Sequence, residues 1–207
     1  MNHSPARERN RRGDGGRLKE ELIEAAMRLL DRSPDGPLSL RSVAKEAGVA
    51  APSVYRHYEN AQALMSDIVR ACWQQMGAAM AEAARAPGRD PIARLQRQMA
   101  AFVAYAMERP SRYQSLFAMR PIAPEADARE GYLRPAYRQV IATLEDHVEV
   151  GGGLPACDMM SSALLVLSLA HGRIALAHLA PDRAGNAAAS VSRFVSEQIA
   201  RILGATA

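Results

Sequence analysis

Twenty residues, Ser39-Leu-Arg-Ser-Val-Ala-Lys-Glu-Ala-Gly-Val-Ala-Ala-Pro-Ser-Val-Tyr-Arg-His-Tyr58, limit the fold of this chain more tightly than any other stretch. Leu40, Val43, Ala44 and Ala47 stand at i, i+3, i+4 and i+7, one apolar stripe on a short helix. Ser39 occupies the N-cap position, where a side-chain oxygen accepts a free backbone N–H. Gly48 follows the stripe, where a left-handed conformation is easiest for a residue without a Cβ. Val49 restarts the apolar pattern. Pro52 then fits only the first turn of a second helix, whose N–H groups lack intrahelical partners in any case. Two short helices joined by a glycine-containing turn form a helix-turn-helix, which presents its second helix to a DNA major groove. That second helix ends in Tyr55, Arg56, His57 and Tyr58, side chains suited to phosphates and base edges.

The remaining sequence also reads as helix. At 207 residues the chain can bury a sizeable core, as one domain or two small ones. A hydrophobic content of 48% beside 23% charged residues is globular rather than disordered. No window shows the apolar–polar alternation of a strand. A first helix is predicted over residues 18–31, with Leu22, Ala25, Ala26, Leu29 and Leu30 as its buried stripe. The Ser-Pro-Asp-Gly-Pro sequence that follows is loop chemistry. Asn60 is placed to cap a long helix over residues 61–86 that carries Leu64, Ile68, Cys72, Met76 and Met80. Ile92, Leu95, Met99, Phe102, Val103 and Ala106 mark another helix, closed by Pro110, which itself opens a short helix containing Tyr113, Leu116 and Phe117. After a loop at Pro121 and Pro124 come helices over residues 126–149, 156–179 and 186–203. The first two of these are separated by Gly151-Gly152-Gly153. The expected fold is all-α with about nine helices. A flexible arm (1–16) precedes a three-helix helix-turn-helix head (17–63), which a long helix joins to a helical body (64–207).

The formal charge of +4 is unevenly spread. Arg7, Arg9, Arg11, Arg12, Arg17 and Lys19 are read as preceding the first helix, opposed only by Glu8 and Asp14. Beside a helix-turn-helix, such an arm is expected to reach phosphates or a minor groove. The Arg11-Arg12 pair does not read as an export signal, since no apolar segment follows it.

The run Leu40-Arg-Ser-Val-Ala-Lys-Glu-Ala-Gly-Val49, followed by Val54-Tyr-Arg-His-Tyr58 and Leu64, resembles the N-terminal domain of TetR-type transcriptional repressors. Their recognition helix ends in a Tyr-x-His-aromatic pattern, here Tyr55-Arg56-His57-Tyr58. Two positions depart from the family. Ala50 stands where Ser or Thr usually caps the recognition helix, and Ala61 where a phosphate-binding Lys is common. Both departures point to fewer backbone contacts and a greater reliance on the arm. The resemblance implies a dimer in which Ala51, Pro52 and the residues up to Tyr58 enter a major groove, the two heads about one helical turn of DNA apart. Ser53 and Arg56 are the expected base contacts, Arg56 because a guanidinium pairs bidentately with guanine. Ser39, Arg41, Tyr55, His57 and Tyr58 are the expected phosphate ligands.

The body carries a second resemblance. Phe102-Val-Ala-Tyr-Ala-Met-Glu-Arg-Pro110, with Tyr113, Phe117 and Leu169-Ala-His-Gly172, is similar to the WHG-type C-terminal domain of a TetR branch. Leu167 stands where that domain carries a Trp. TetR-type proteins generally bind a small apolar or amphipathic effector in this part of the chain. The resemblance implies a pocket built from Met76, Met80, Met99, Phe102, Tyr105, Phe117, Tyr137 and His171; adaptable thioethers and ring faces suit varied ligands.

No other chemistry competes strongly. His147, His171 and His178, with Asp146, Glu149 and Asp158 nearby in sequence, are the candidate acid–base or ligand groups in the body. His171 and His178 lie two helical turns apart, too far to share one metal. No phosphate loop, G-x-S-x-G or H-E-x-x-H occurs, so no enzyme activity, metal or cofactor is expected. Cys72 and Cys157 form no C-x-x-C pattern and fit a reducing cytoplasm. Residues 159–180 are apolar over a bilayer's length, yet His171, Arg173 and His178 would be costly in lipid, so no membrane is expected. Small residues along that helix and the stripe Val191, Phe194, Val195, Gln198, Ile199 and Ile202 on the last one point to a homodimer through a four-helix bundle, the interface also used by the resembled family. The reading is a cytoplasmic, ligand-responsive DNA-binding regulator, a repressor released from its double-stranded operator by a small-molecule effector. The alternative is a helical sensor or partner-binding protein whose head binds DNA weakly, supported by Ala50 and Ala61.

Overall fold

Each apolar periodicity in the sequence becomes a helix in the computed structural model, which describes residues 15–32, 38–118, 126–179 and 185–204. Residues 1–14 of the basic arm, most of the loop after the first helix and the Pro121–Pro124 segment lie outside the described residues. The described residues hold nine helices and no strand: α1 (Gly15–Arg32), α2 (Leu40–Ala47), α3 (Ala51–Tyr55), α4 (Ala61–Ala84), α5 (Pro91–Glu108), α6 (Pro110–Ala118), α7 (Ala126–Glu149), α8 (Met159–Leu179) and α9 (Ala187–Gly204). The chain divides into two compact units, with the division inside α4 between Ile68 and Val69.

In the first unit, Leu22, Ala25, Ala26, Met27 and Leu30 of α1 are buried with Leu40, Val43 and Ala44 of α2, Val54 of α3, and Leu64 and Ile68 of α4. Full burial of one Leu or Ile side chain contributes roughly 1.5–3 kcal/mol. On its surface, Glu46 ties α2 to α1. Its carboxylate accepts from Arg28 Nε at 3.1 Å and pairs with Arg32. Those two guanidinia, Arg32 first, hold the Glu46 carboxyl below the usual carboxylate range. Asn60 caps α4 through a bond from Ala63 N–H to its Oδ1 at 2.9 Å.

In the second unit, α5 is the central element and packs against α6, α7, α8 and α9. Its buried residues Leu95, Met99, Phe102, Val103 and Ala106 meet Val140 and Leu144, Val166 and Ala170, and Val191, Val195 and Ile199 in one core. A buried polar stitch joins α5 to α7: Thr143 Oγ1 donates to Gln98 Oε1 at 3.0 Å, and Gln98 Nε2 donates to the Gln139 carbonyl at 3.3 Å. Such groups are tolerated inside a core because each finds a partner. The α4 and α7 backbones approach closely at Gly77, where an added Cβ would lie 2.6 Å from Pro135 Cβ.

This packing corrects the expected dimer stripe. Val191, Val195 and Ile199 are wholly covered by their own subunit, and Gln96 Nε2 of α5 donates to the Ser196 carbonyl at 3.0 Å. They cannot also face a second copy. Phe194 remains exposed on α9, while Gln198 and Ile202 are half-buried. The larger exposed apolar face belongs to α8: Met160, Leu164, Leu165, Leu176 and Leu179. α8 is also the one helix among the described residues long and apolar enough to cross a membrane. Its opposite face, Ser162, Ala163, Val166, Leu167, Ala170, Ile174 and Ala177, packs into the body.

Candidate functional site

The head's local chemistry explains the geometry of its two short helices. Ser39 is extended (φ −120°, ψ 152°), and its Oγ accepts the Ser42 N–H at 3.0 Å. Ser42 Oγ in turn accepts the Ser39 N–H at 3.1 Å, a reciprocal cap that satisfies two otherwise free donors. Gly48 ends α2 in the left-handed region at φ 66°, and the Val49 N–H reaches back to the Ala44 carbonyl at 2.9 Å. That turn aims α3 away from α2. Ala50 begins α3 with no side-chain cap, and Pro52 lies in its first turn. A Ser or Thr at the N-cap typically contributes about 1 kcal/mol, which α3 does without.

The structure separates the nine predicted DNA contacts into two groups. Ser39, Arg41, Pro52, Tyr55 and Arg56 are exposed, with Ala51, Ser53 and His57 half-buried beside them. The two expected base contacts lie one turn apart and touch, Arg56 Nη2 donating to Ser53 Oγ at 3.3 Å. Tyr58 is a correction: it is 3% exposed, and its hydroxyl donates to Asp67 Oδ2 at 3.1 Å. Lys19 Nζ approaches the same oxygen at 2.8 Å and sits 5.7 Å from the Tyr58 ring centre. Tyr58 therefore pins the end of the helix-turn-helix to α1 and α4 and is not placed to hold a phosphate. Lys19 and Arg17, counted with the arm, lie within α1, where Arg17 Nε meets Glu21 at 3.2 Å.

The second unit holds a cavity of about 130 Å³, lined by Trp73, Phe102, Phe117, Tyr137, Leu167, Ser168 and His171. Four of the eight predicted pocket residues line it: Phe102, Phe117, Tyr137 and His171. Met76, Met80 and Met99 do not; they are fully buried in the core. Tyr105 is buried as well, its hydroxyl donating to Gln75 Oε1 at 3.4 Å and pushed up by burial. Trp73, Leu167 and Ser168 were missed. For Leu167 a signal existed, since it stands where the WHG pattern has a Trp.

Behind the cavity wall lies an aromatic cluster. Tyr113 meets Phe102 and Phe117 edge to face, with centroids 5.9 and 5.2 Å apart, and Phe117 meets Trp73 the same way at 5.7 Å. The His171 ring lies 4.1 Å from Phe117, and its Nδ1 is 2.8 Å from the Tyr113 hydroxyl. Burial lowers the His171 pKa and raises that of Tyr113, so both are neutral at pH 7.

Two of the acidic groups, Asp146 and Asp158, serve structure, while His147 and His178 each keep a buried Nε2 with no hydrogen-bond partner among the described residues. Asp146 pairs with Arg94, and Asp158 accepts the Ser161 N–H at 2.8 Å at the start of α8, bonds that lower its pKa. His147 is buried against Gly152, and burial lowers the pKa of His178, partly offset by a backbone bond at Ala106. The described residues contain no group of three potential metal ligands. Cys72 is buried and Cys157 exposed, and neither forms a disulfide.

An exposed recognition helix behind a capped support helix defines a helix-turn-helix DNA-binding domain. Residues 22–71 match the family of bacterial regulatory proteins called the tetR family, and the chain carries that family's DNA-binding domain on a TetR-like helical fold. The whole chain is similar to a protein of unknown function from Rhodococcus sp. RHA1 (TM-score 0.77, 19% identity, 97% of this chain and 99% of the other). It is also similar to a putative transcriptional regulator from Pseudomonas aeruginosa PAO1 (TM-score 0.65, 20% identity, 91% and 93% covered). The TetR family transcriptional regulator PfmR from Thermus thermophilus shares the fold as well (TM-score 0.60, 20% identity, 89% and 97% covered). No curated protein matches the sequence.

Proposed function

We propose that this protein is a cytoplasmic transcriptional repressor that leaves its operator when a small molecule fills the body cavity. The observation that carries the DNA-binding part is the Ser53–Arg56 pair at the C-terminal end of α3, its Arg56 exposed, beside an α2 capped at both ends. Arg56 reads a guanine edge, and Ser39, Arg41, Tyr55 and His57 hold phosphates on either side. The basic arm adds phosphate or minor-groove contacts that Ala50 and Ala61 do not supply.

Two copies associate through the exposed face of α8, where Met160, Leu164, Leu176 and Leu179 would otherwise remain in water, with Phe194 of α9 at its edge. Large exposed apolar patches of this kind are typical of association surfaces. Trp73, a wall of the cavity, lies on α4, whose earlier residues Leu64 and Ile68 belong to the head's core, and occupancy of the cavity is relayed to DNA binding through this helix. Release requires that the effector bind the released state more tightly than the operator-bound one.

The test is a gel shift on the chain's own promoter region at two salt concentrations, with sedimentation of Leu176→Asp alongside. A sequence-preferring, salt-dependent shift is expected, with loss of both dimer and shift in the variant. Failure to bind any duplex at low salt would favour the helical sensor reading instead.

A further inference from the structure

The cavity's lining is chemically one-sided. Four of its seven lining residues are aromatic, among them the chain's single Trp and two of its three Phe, and no Lys or Arg lines it among the described residues. Its volume of about 130 Å³ is close to that of an apolar cavity that takes up benzene. Edge-to-face contacts already organise Trp73, Phe117, Tyr113 and Phe102, and a further ring would extend that arrangement.

The polar end of the cavity has a definite hydrogen-bond sense. Tyr113 is 2% exposed, and His171 Nδ1 is the one hydrogen-bond partner of its hydroxyl among the described residues. If Nδ1–H donated to the phenol oxygen, the buried phenol hydrogen would have no acceptor, a costly arrangement. The hydroxyl therefore donates to Nδ1, and the proton of the neutral imidazole sits on Nε2. Nε2 is not among the enclosed unpaired atoms of the described residues, so its N–H is open to solvent or to a guest. The other polar groups in the lining are the hydroxyls of Ser168 and Tyr137 and the indole N–H of Trp73.

We propose that this cavity selects a small, uncharged aromatic molecule carrying one hydrogen-bond acceptor, its ring among Trp73, Phe102, Phe117 and Tyr137 and its acceptor on His171 Nε2–H. The proposal rests on the effector-pocket reading and adds the chemical class. A carboxylate is disfavoured because desolvating it here would find no cation among the described lining residues. A flexible aliphatic chain gains no ring contact and loses more conformational freedom on entry.

The experiment is fluorine NMR titration of the full-length protein with 4-fluoroacetophenone, fluorobenzene and 4-fluorobenzoate, with 2-octanone as an unlabelled competitor. The ketone is expected to bind at least tenfold more tightly than the benzoate and several-fold more tightly than fluorobenzene. 2-Octanone should displace it only at much higher concentration. The pair Tyr113→Phe with His171→Phe, which removes the donor and leaves no buried phenol hydrogen without an acceptor, should reduce ketone binding to the fluorobenzene level while fluorobenzene still binds. Leu167→Trp should exclude all three by filling the cavity.

Equal or tighter binding of the benzoate, or of 2-octanone, would overturn the assigned class; so would ketone binding that survives both variants. A gel shift run on the same samples separates the two levels. Operator release by some other small molecule, with no ketone binding, would sink the ligand class alone. Ketone binding with no operator release at saturation would leave the class standing and count against the effector reading.

Discussion

Replacing Tyr58 with Phe separates the two roles this residue could play. The hydroxyl is buried and donates to Asp67 Oδ2 at 3.1 Å, while Lys19 Nζ holds the same oxygen at 2.8 Å. A hydrogen bond to a charged acceptor contributes about 1.5–3 kcal/mol. Asp67 keeps Lys19 after the substitution, and Phe fills the same space, so the lower end applies, about 1.5 kcal/mol. For a chain of this length a loss of that size lowers Tm by roughly 3–6 °C. Thermal unfolding measures this directly. A parallel salt titration of operator binding should show an unchanged slope of log K against log salt, because no phosphate contact is removed. Losing a phosphate contact would instead take about 0.9 from that slope. An unchanged Tm with a slope reduced by about one unit would refute the pinning role and return Tyr58 to the DNA surface. Adding Lys19→Met completes a double-mutant cycle, in which a coupling above about 0.5 kcal/mol is expected from the shared carboxylate oxygen.

Arg56→Ala should weaken specific operator binding by roughly 1–3 kcal/mol and relax base preference at one position per half-site; equal loss on random DNA would make Arg56 a phosphate contact. Gly77→Ala gains about 1 kcal/mol of helix propensity but forces a Cβ to 2.6 Å from Pro135 Cβ, where overpacking costs about 1–3 kcal/mol. A net fall in denaturation midpoint is expected, and a rise would mean that α4 and α7 separate freely. For pH, burial lowers the folded-state pKa of His171 and His178 below the usual value of 6.5, so the folded protein binds fewer protons than the unfolded chain. Their contribution is fully present above pH 6.5 and is lost as pH falls from there through the lowered folded values. Unfolding midpoints between pH 7.5 and 5.5 should therefore drop on acidification, less steeply in His171→Phe; a flat profile would contradict the burial of these rings.

Wherever structure is made by neighbours in the chain, this sequence determined it unaided. Ser39 caps α2, Gly48 takes the left-handed turn and Pro52 sits in the first turn of α3, because each rule involves residues only a few positions apart. The helices follow for the same reason, and so does the exposure of Tyr55 and Arg56 at the end of so short an element. Tertiary structure alone decided what covers each apolar face. The stripe Val191, Val195 and Ile199 announces a buried surface, yet periodicity says nothing about its partner. That partner is α5, about a hundred residues earlier, and so the surface passed from the dimer to the subunit's own core. Tyr58 shows the same limit, since a tyrosine at a recognition-helix end reads as a phosphate ligand until Asp67 and Lys19 are seen beneath it. The cavity was least legible of all. It is space left between Trp73, Leu167 and their neighbours on three other helices, and unfilled volume depends on how side chains from distant positions meet rather than on any residue taken singly.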